Sequence, residues 1–365
     1  MRSGVSQQQG GAGGWTAGPV AALRRIAFLL ERGRADTYKV KAYRAAAAAI
    51  LTLSDDELRA RASANTLTDL AGVGASTAGV ISEALAGEVP ARLAKAEAEH
   101  GGALASGGAE LRARLRGDLH SHSDWSDGGS PIEEMAFTAM ELGHEYLVLT
   151  DHSPRLTVAH GLSAERLTKQ LAVVEAINEH IATGSGTGPT SGSSGFTLLK
   201  GIEVDILDDG SLDQTDAMLE RLDLRVASVH SKLKMEKDAM TRRMVTAVST
   251  TRMNVLGHCT GRLVTGGRGT RPGSTFDARR VFEACAEHRV AVEINSRPER
   301  RDPPTRLLEL ARDLGCLFSI DSDAHAPGQL DFLVLGCERA EAAGIDPDRI
   351  VNTWPRQRLL TWANR

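Results

Sequence analysis

The chain has 365 residues and 41% hydrophobic content, enough for two domains with a core in each. A formal net charge of −4 excludes the overall positive charge of a protein that coats nucleic acid. No stretch approaches the roughly 18 apolar residues of a membrane span, no apolar signal-peptide core follows Met1, and Cys259, Cys285, Cys316 and Cys337 are scattered, so the chain reads as a cytoplasmic protein without a disulfide framework.

Residues 1–14, rich in glutamine and glycine, read as a disordered tail. Apolar spacing at Ala21, Leu23, Ile26, Ala27, Leu29 and Leu30 predicts a helix from Val20 that Gly33 stops. A second helix is expected from near Tyr38 through the alanine run 45–49 to Leu53, and a third over 55–62. Arg24, Arg25, Arg32, Arg34, Lys39, Lys41 and Arg44 face only Glu31 and Asp36, which describes either a solvated helix pair or a phosphate-facing patch. Leu70-Ala71-Gly72-Val73-Gly74 then lies between Leu67 and the apolar positions Ala78, Ile81 and Leu85: helix, tight glycine turn, helix. Gly72 and Gly74 permit an unusual backbone and expose N–H groups at a helix start, which suits a phosphate, although such a hairpin also serves packing alone. After Pro90 a short helix covers 91–98, residues 101–108 form a break, and the domain boundary falls near 112.

Beyond it, short apolar strands alternate with helical stretches, the pattern of an α/β fold. Strands are expected at Leu119, 146–150, 196–204, 224–229, 255–257, 290–295 and 317–320, and helices at 131–142 and 162–181. Residues 183–195, all Gly, Ser, Thr, Pro and a final glycine before Phe196, read as a mobile surface loop. In a β/α barrel the C-terminal strand ends converge on one face. Here those ends carry His120, His122, His152, Glu203, His230, His258, Asp323 and His325, and Asp127 can return from the loop after the first strand. His120 and His122, two apart, share one strand face. Six of the 11 histidines sit at these ends, whereas His144, His180 and His288 read as ordinary helix-associated residues. Imidazole and carboxylate converging in this number predict a polynuclear metal centre.

Two resemblances follow from these residues. Residues 20–90 resemble the small helical N-terminal domain of family-X DNA polymerases, which carries a helix-hairpin-helix; its gap-binding lysine and tyrosine match Lys39 and Tyr43. The resemblance implies a DNA-docking module that uses Lys39, Lys41, Tyr43, Arg44, Gly72 and Gly74. It does not extend to lyase chemistry, because Val80 stands at the lyase-lysine position and Ser76 at a second basic position, and valine has no amine for a Schiff base. Residues 117–350 resemble the polymerase-and-histidinol-phosphatase (PHP) superfamily, and specifically the C-terminal domain of bacterial family-X polymerases. The matching pieces are residues 118–128, Thr150-Asp151-His152-Ser153, Gly201-Ile202-Glu203-Val204-Asp205-Ile206-Leu207, Ala227-Ser228-Val229-His230-Ser231, Gly257-His258-Cys259-Thr260-Gly261-Arg262, Glu293-Ile294-Asn295 and Ser322-Asp323-Ala324-His325. Cys259 where a proline is usual, His160 before Gly161, and the 183–195 insertion depart from the pattern.

The resemblance implies a distorted seven-stranded (β/α)7 PHP barrel over 113–365, behind a helical domain over 15–112, with three divalent transition-metal ions (manganese, zinc or iron). One ion would take His120, His122, Glu203 and Asp323; a second would share Glu203 and add His230 and His258; a third would take Asp127, His152 and His325. The polymerase palm has no room between a hairpin domain that ends near 100 and a barrel that begins near 117, so no DNA synthesis is expected. The expected activity is metal-dependent phosphoester hydrolysis, with Lys232, Arg262, Asn295 and Arg297 orienting the substrate. By resemblance the substrate is DNA, at a 3′ end or an abasic site. A small-molecule phosphatase of histidinol-phosphatase type and a non-catalytic DNA-binding metalloprotein are the rivals; the basic residues between 24 and 44 favour DNA over a small phosphate ester. The oligomeric state is left open.

Overall fold

The computed structural model describes residues 14–183, 195–250, 252–267 and 269–364. The expected disordered tail and the expected loop 183–195 lie, apart from their edge residues, outside the described residues. The chain divides into two compact units, after Ala103.

The first unit is helical: α1 (Gly18–Arg32), α2 (Thr37–Leu51), α3 (Asp55–Ser63), α4 (Ala75–Leu85) and α5 (Ala91–His100). Pro19 stands in the first turn of α1, where its missing N–H costs no helical bond. Ser54 caps α3 by accepting from the Glu57 N–H at 3.3 Å. α1 packs against α2, α4 and α5. Ala46 and Ala47 of α2 are buried, and such small side chains let neighbouring backbones approach closely. Leu23, Ile26, Ile50, Val80 and Ile81 fill the core.

The second unit begins with α6 (Ala109–Arg114) and alternates β1 (Gly117–Ser121), α7 (Ile132–Glu141), β2 (Tyr146–Leu149), α8 (Ala164–Thr183), β3 (Thr197–Asp205), α9 (Asp216–Leu219), β4 (Leu224–Ser228), α10 (Lys237–Val248), β5 (Val255–Leu256), α11 (Ala278–Glu287), β6 (Ala291–Asn295), α12 (Thr305–Asp313) and β7 (Leu317–Asp321), followed by α13 (Leu333–Ala342) and α14 (Arg356–Ala363). The boundary thus falls earlier than the position near 112 read from sequence. The reason is α6: it packs on α13, and Leu111 and Leu115 join the barrel's outer core.

The seven strands are all parallel and lie in the order β1 to β7. A parallel bridge between Ser121 and Ala324 brings the first and last strands together, so the barrel is nearly closed. Alternate residues face opposite sides. Val292 and Ile294 of β6 pack outward with Phe282 and Leu308 of the helices. On the other face Ala291 joins Leu119, Tyr146, Val148, Leu199, Val226 and Val255 in an apolar inner floor. Val351, Trp354, Leu359 and Trp362 seal that floor, the two indoles edge to face with centroids 5.9 Å apart. The same inward face turns polar toward the strand ends: Ala291 is followed at period two by Glu293 and Asn295, and Leu199 by Gly201, Glu203 and Asp205. The lower barrel is therefore a hydrophobic core and the upper barrel a polar basin. Among the described residues no helix is long and apolar enough to cross a membrane.

Candidate metal centre

The C-terminal strand ends build the basin. β1 supplies His120 and, one residue past its end, His122, across a register irregularity between Asp118 and Ser121. His152 follows β2, Glu203 lies within β3, His230 and His258 follow β4 and β5, and Asp323 and His325 follow β7. Asp323 has φ +51°, an uncommon conformation for a residue with a side chain.

Glu203 is the hub. Its Oε2 lies 3.3 Å from His120 Nε2, 3.5 Å from His122 Nε2 and 2.9 Å from His152 Nδ1. Its Oε1 lies 3.1 Å from His230 Nε2 and 2.9 Å from His258 Nε2. Asp323 Oδ1 adds His122 Nε2 at 3.4 Å and His325 Nδ1 at 3.6 Å. Asp127 Oδ1 is 3.4 Å from both His152 Nε2 and His325 Nε2. All nine residues named from the sequence as metal ligands thus lie in one continuous cluster. His152 stands between Glu203 and Asp127 rather than beside Asp127 alone. His122, Asp127, His152 and His325 form one group that could hold an ion; His120, His122 and Glu203 form another, and His152, Glu203 and His230 a third.

The chemistry of this donor set fits cations. Nε2 of His120, both ring nitrogens of His122 and His230, Nδ1 of His152 and His258, and both oxygens of Glu203 are buried without a hydrogen-bond partner in the protein. Each such atom costs about 1–3 kcal/mol unless something satisfies it. Burial resists a charge on Glu203, but His230, His120 and His152 outweigh it and hold its carboxyl well below the usual range. Burial and the neighbouring His325 and His152 push His122 down to about 3, so it is neutral and able to donate a lone pair. Burial also disfavours charge on His120, yet Glu203, Glu293 and Asp323 raise it well above the ordinary histidine value. That proton would have to leave for Nε2 to bind a metal.

A layer of partners aims these groups. His120 Nδ1 lies 2.5 Å from Glu293 Oε1, which turns Nε2 toward Glu203. The other Glu293 oxygen accepts from the His258 N–H and, at 3.2 Å, from Asn295. Asp205 Oδ1 lies 3.4 Å from His230 Nδ1 and accepts the His230 N–H at 3.1 Å. Asp151 accepts from the Ser123 N–H (2.8 Å), Ser123 Oγ (2.6 Å), Ser126 Oγ and Gln170 Nε2 (2.6 Å), fixing the loop that leads to Asp127. Arg300 Nε lies 3.0 Å from Asp323 Oδ2. Burial opposes the Arg300 charge, and Asp323, Glu203, Asp302 and Glu293 together raise its pKa. Sequence reasoning assigned no role to Glu293, Asp205, Asp151 or Arg300. The first two carried a signal, since each lies two residues from a singled-out residue on the same strand face; Arg300 depends on the path of a loop and carried none.

The four residues expected to orient substrate are placed differently from one another. Asn295 is buried and donates to Asp323 Oδ2 at 3.0 Å, so it orients a cluster residue. Arg297 Nη1 lies 2.9 Å from His325 Nδ1 and 3.7 Å from Asp323 Oδ1, at the basin's edge. Lys232 pairs with Asp208 at 2.5 Å, and Arg262 donates to the carbonyls of Arg300 and Arg301; neither touches the cluster.

In the first unit Lys39 is exposed beside Asp36 (3.2 Å), and Lys41 is exposed. Tyr43 is buried, its hydroxyl 3.5 Å from Ser76 Oγ, and Arg44 pairs at 2.8 Å with the buried Glu31. Gly72 has φ +91°, where a side chain is disfavoured. Gly74 precedes α4, and Thr77 Oγ1 both accepts its N–H (2.9 Å) and donates to its carbonyl (3.0 Å). Val80 is 1% exposed, a core residue.

Comparison with known proteins bears on both units. Residues 17–89 match the model of a helix-hairpin-helix domain, and residues 118–297 that of the PHP domain. The chain is 35% identical over 239 residues to the DNA polymerase/3′-5′ exonuclease PolX of Bacillus subtilis, an alignment covering 66% of this chain but 39% of that protein. The chain therefore spans well under half the length of that relative. It is 25% identical over 253 residues to the probable phosphatase YcdX of Escherichia coli K12, covering 66% and 91% of the two chains. Among solved structures, the histidinol phosphate phosphatase of Lactococcus lactis, complexed with zinc, L-histidinol and phosphate, is similar at 17% identity and a TM-score of 0.43, covering 64% of this chain and 95% of that one.

Proposed function

We propose that this protein, which belongs to the PHP family and carries a helix-hairpin-helix domain ahead of its PHP domain, is a metal-dependent phosphoesterase that processes DNA at 3′ ends or at abasic sites, without polymerase activity. The observation that carries the reading is the joining, in one chain, of the nine-residue cluster to a domain of the DNA-docking type. The name of the Bacillus relative supports a DNA substrate.

His120, His122, Asp127, His152, Glu203, His230, His258, Asp323 and His325 would hold three divalent ions of manganese, zinc or iron type. Bound there, such ions would neutralise phosphate oxygens and lower the pKa of a water. The protein's own groups do the rest. Glu293 holds the His120 ring in fixed orientation, and Asp205 anchors the His230 backbone N–H with its carboxylate beside the ring. Asn295 fixes Asp323. Arg297 and Arg300, at the basin's edge, offer fixed positive charge to a phosphate drawn to the cluster, where preorganised charge acts without reorganisation. The apolar floor below closes the basin from solvent on the far side.

The test is a substrate panel with manganese: gapped DNA, single-stranded DNA, abasic DNA and histidinol phosphate. Cleavage of DNA at the 3′ side or at the lesion is expected. Fast turnover of histidinol phosphate with no DNA cleavage would overturn the DNA reading in favour of a small-molecule phosphatase.

A further inference from the structure

The loops after β5 and β6 carry guanidinium groups that the cluster does not use. Arg262 Nε donates to the Arg300 carbonyl at 3.2 Å, and its Nη2 to the Arg301 carbonyl. Arg271 sends Nε and Nη2 to the Gly261 carbonyl at 2.9 and 2.6 Å. Arg339, from α13, reaches the carbonyls of Asn295, Asp302 and Pro303. Every one of these acceptors is neutral. Arg301 is exposed, and its side chain has no hydrogen bond or ion pair among the described residues. The carboxylate in their midst, Asp302, is fully buried and already accepts from the Thr260 N–H (3.1 Å), Thr260 Oγ1 (2.7 Å) and the Arg262 N–H (3.3 Å). Among the described residues it forms no ion pair with an arginine. Against burial, which lowers them, Asp302 raises the pKa values of Arg262, Arg271 and Arg339, and Arg301 helps the Ser106 hydroxyl to lower the Glu338 carboxyl, so the charge is partly offset. Three arginines that share one buried carboxylate still leave positive charge in excess.

Two further facts locate this charge. The Leu263–Arg271 bridge and the bond from the Val264 N–H to the Glu299 carbonyl (2.7 Å) tie the two loops into one surface. Arg300, in the second loop, touches Asp323 of the cluster, so the surface begins at the basin's edge. The groups also sense one another. Burial and then Arg262 lower Arg339 to about 10, and burial and then Arg300 lower Arg271.

We infer that Arg262, Arg271 and Arg301 form a subsite for a second phosphate, the one adjacent to the scissile ester along a polynucleotide strand. A guanidinium offers a planar fork that fits phosphate oxygens. A small monophosphate would fill the basin and leave this charge unanswered, whereas a strand answers both. The inference rests on the phosphoesterase reading of the neighbouring cluster and sharpens its substrate to a chain of phosphodiesters.

The experiment uses the full-length, metal-replete protein with Arg301→Gln and Arg271→Gln variants. Binding of a fluorescein-labelled, phosphorothioate single-stranded dT12 is followed by anisotropy over a range of salt. Each variant is expected to bind several-fold more weakly and to lose about 0.7 from the slope of log affinity against log salt, one phosphate contact. Inorganic phosphate and pyrophosphate serve as competitors, and the expected order has pyrophosphate displacing the strand better. Arg301→Gln has no intramolecular bond to lose, which separates the subsite from loop bracing. Wild-type affinity and slope in Arg301→Gln, with a lowered melting temperature alone in Arg271→Gln, would make these arginines braces and overturn the subsite. The two readings fail separately. Unmodified dT12 with manganese reads the chemistry. An unmodified strand never hydrolysed, while its phosphorothioate analogue binds through the arginines, keeps the subsite and sinks the catalytic reading; an unmodified strand hydrolysed, with unchanged affinity for the analogue in both variants, does the reverse.

Discussion

Glu293 holds its place in the cluster through three bonds, from the His120 ring, the His258 backbone N–H and the Asn295 amide. A glutamine there would turn an amide N–H toward one of those donors. Glu293→Gln is therefore expected to weaken metal binding by about 10–100-fold while the barrel stays folded; competition with a chromophoric chelator measures this, and undiminished affinity would remove Glu293 from the site. His144 is a residue-scale case outside the cluster. It is buried, with Nε2 3.0 Å from Arg112 Nη2. Burial, then the Arg112 charge, holds its pKa well below the ordinary 6.5. The unfolded chain therefore binds a proton that the folded chain refuses. Stability is fully present above the unfolded pKa and falls as pH drops through it, by about 1.4 kcal/mol per pH unit for one proton. Urea unfolding at pH 7.5 and 5.5 should show the wild type losing about 1 kcal/mol more than His144→Gln. Parallel losses in the two proteins would reject this account.

At the scale of elements, the connection between β2 and α8 shows how a loop sets a candidate ligand. The chain leaves at Ser153 just after His152, and returns at Leu162, whose N–H donates to the His152 carbonyl at 2.7 Å. Gly161 closes this pinch: a Cβ there would lie 1.8 Å from the Ser153 carbonyl oxygen. The obstacle is backbone, so an alanine must part the loop ends and move His152. Gly161→Ala is expected to lose metal equivalents and at least about tenfold in hydrolysis, read by elemental analysis beside activity; wild-type values for both would show that the pinch does not position His152. The helical elements of the first unit make a different point. The basic residues between 24 and 44 are partly committed within the fold, Arg25 to Glu97 at 2.7 Å, Lys39 to Asp36 and Arg44 to Glu31. Lys41 stays exposed with no partner among the described residues. Counting charges along the chain therefore overstates the charge this face can offer to a phosphate.

For the whole molecule, the two compact units divide the work in the proposed function. The barrel carries the donors for chemistry, and the helical unit carries Lys39, Lys41 and the Gly72–Gly74 turn. Removing residues 1–103 is expected to raise KM for DNA several-fold, more at high salt, because phosphate contacts release counterions. Turnover of bis(p-nitrophenyl) phosphate should not change. A truncated chain with wild-type KM for DNA at every salt concentration would show that the helical unit has no part in holding the strand.

Period and punctuation in the sequence determined the fold class. Seven apolar strands alternate with helices, and a parallel strand buried on both faces has to be written as a continuous apolar run whose polar residues come at its ends. The identity of the cluster's residues was legible for the same reason: histidine or carboxylate recurs at strand after strand end, and barrel geometry brings such ends to one face. Tertiary structure alone decided how those residues divide. His152 stands between Glu203 and Asp127 because the 153–161 loop is pinched at its base, and Arg300 reaches Asp323 because the loop after β6 turns back. The domain boundary at 103 was likewise set by α6 packing on α13, far along the chain. Lys232 and Arg262 follow the same logic, drawn away from the basin by Asp208 and by the carbonyls of residues 300 and 301. Residue type and spacing encode which groups a strand delivers to the barrel mouth; the direction in which a loop side chain then points depends on partners distant in sequence, which no local pattern contains.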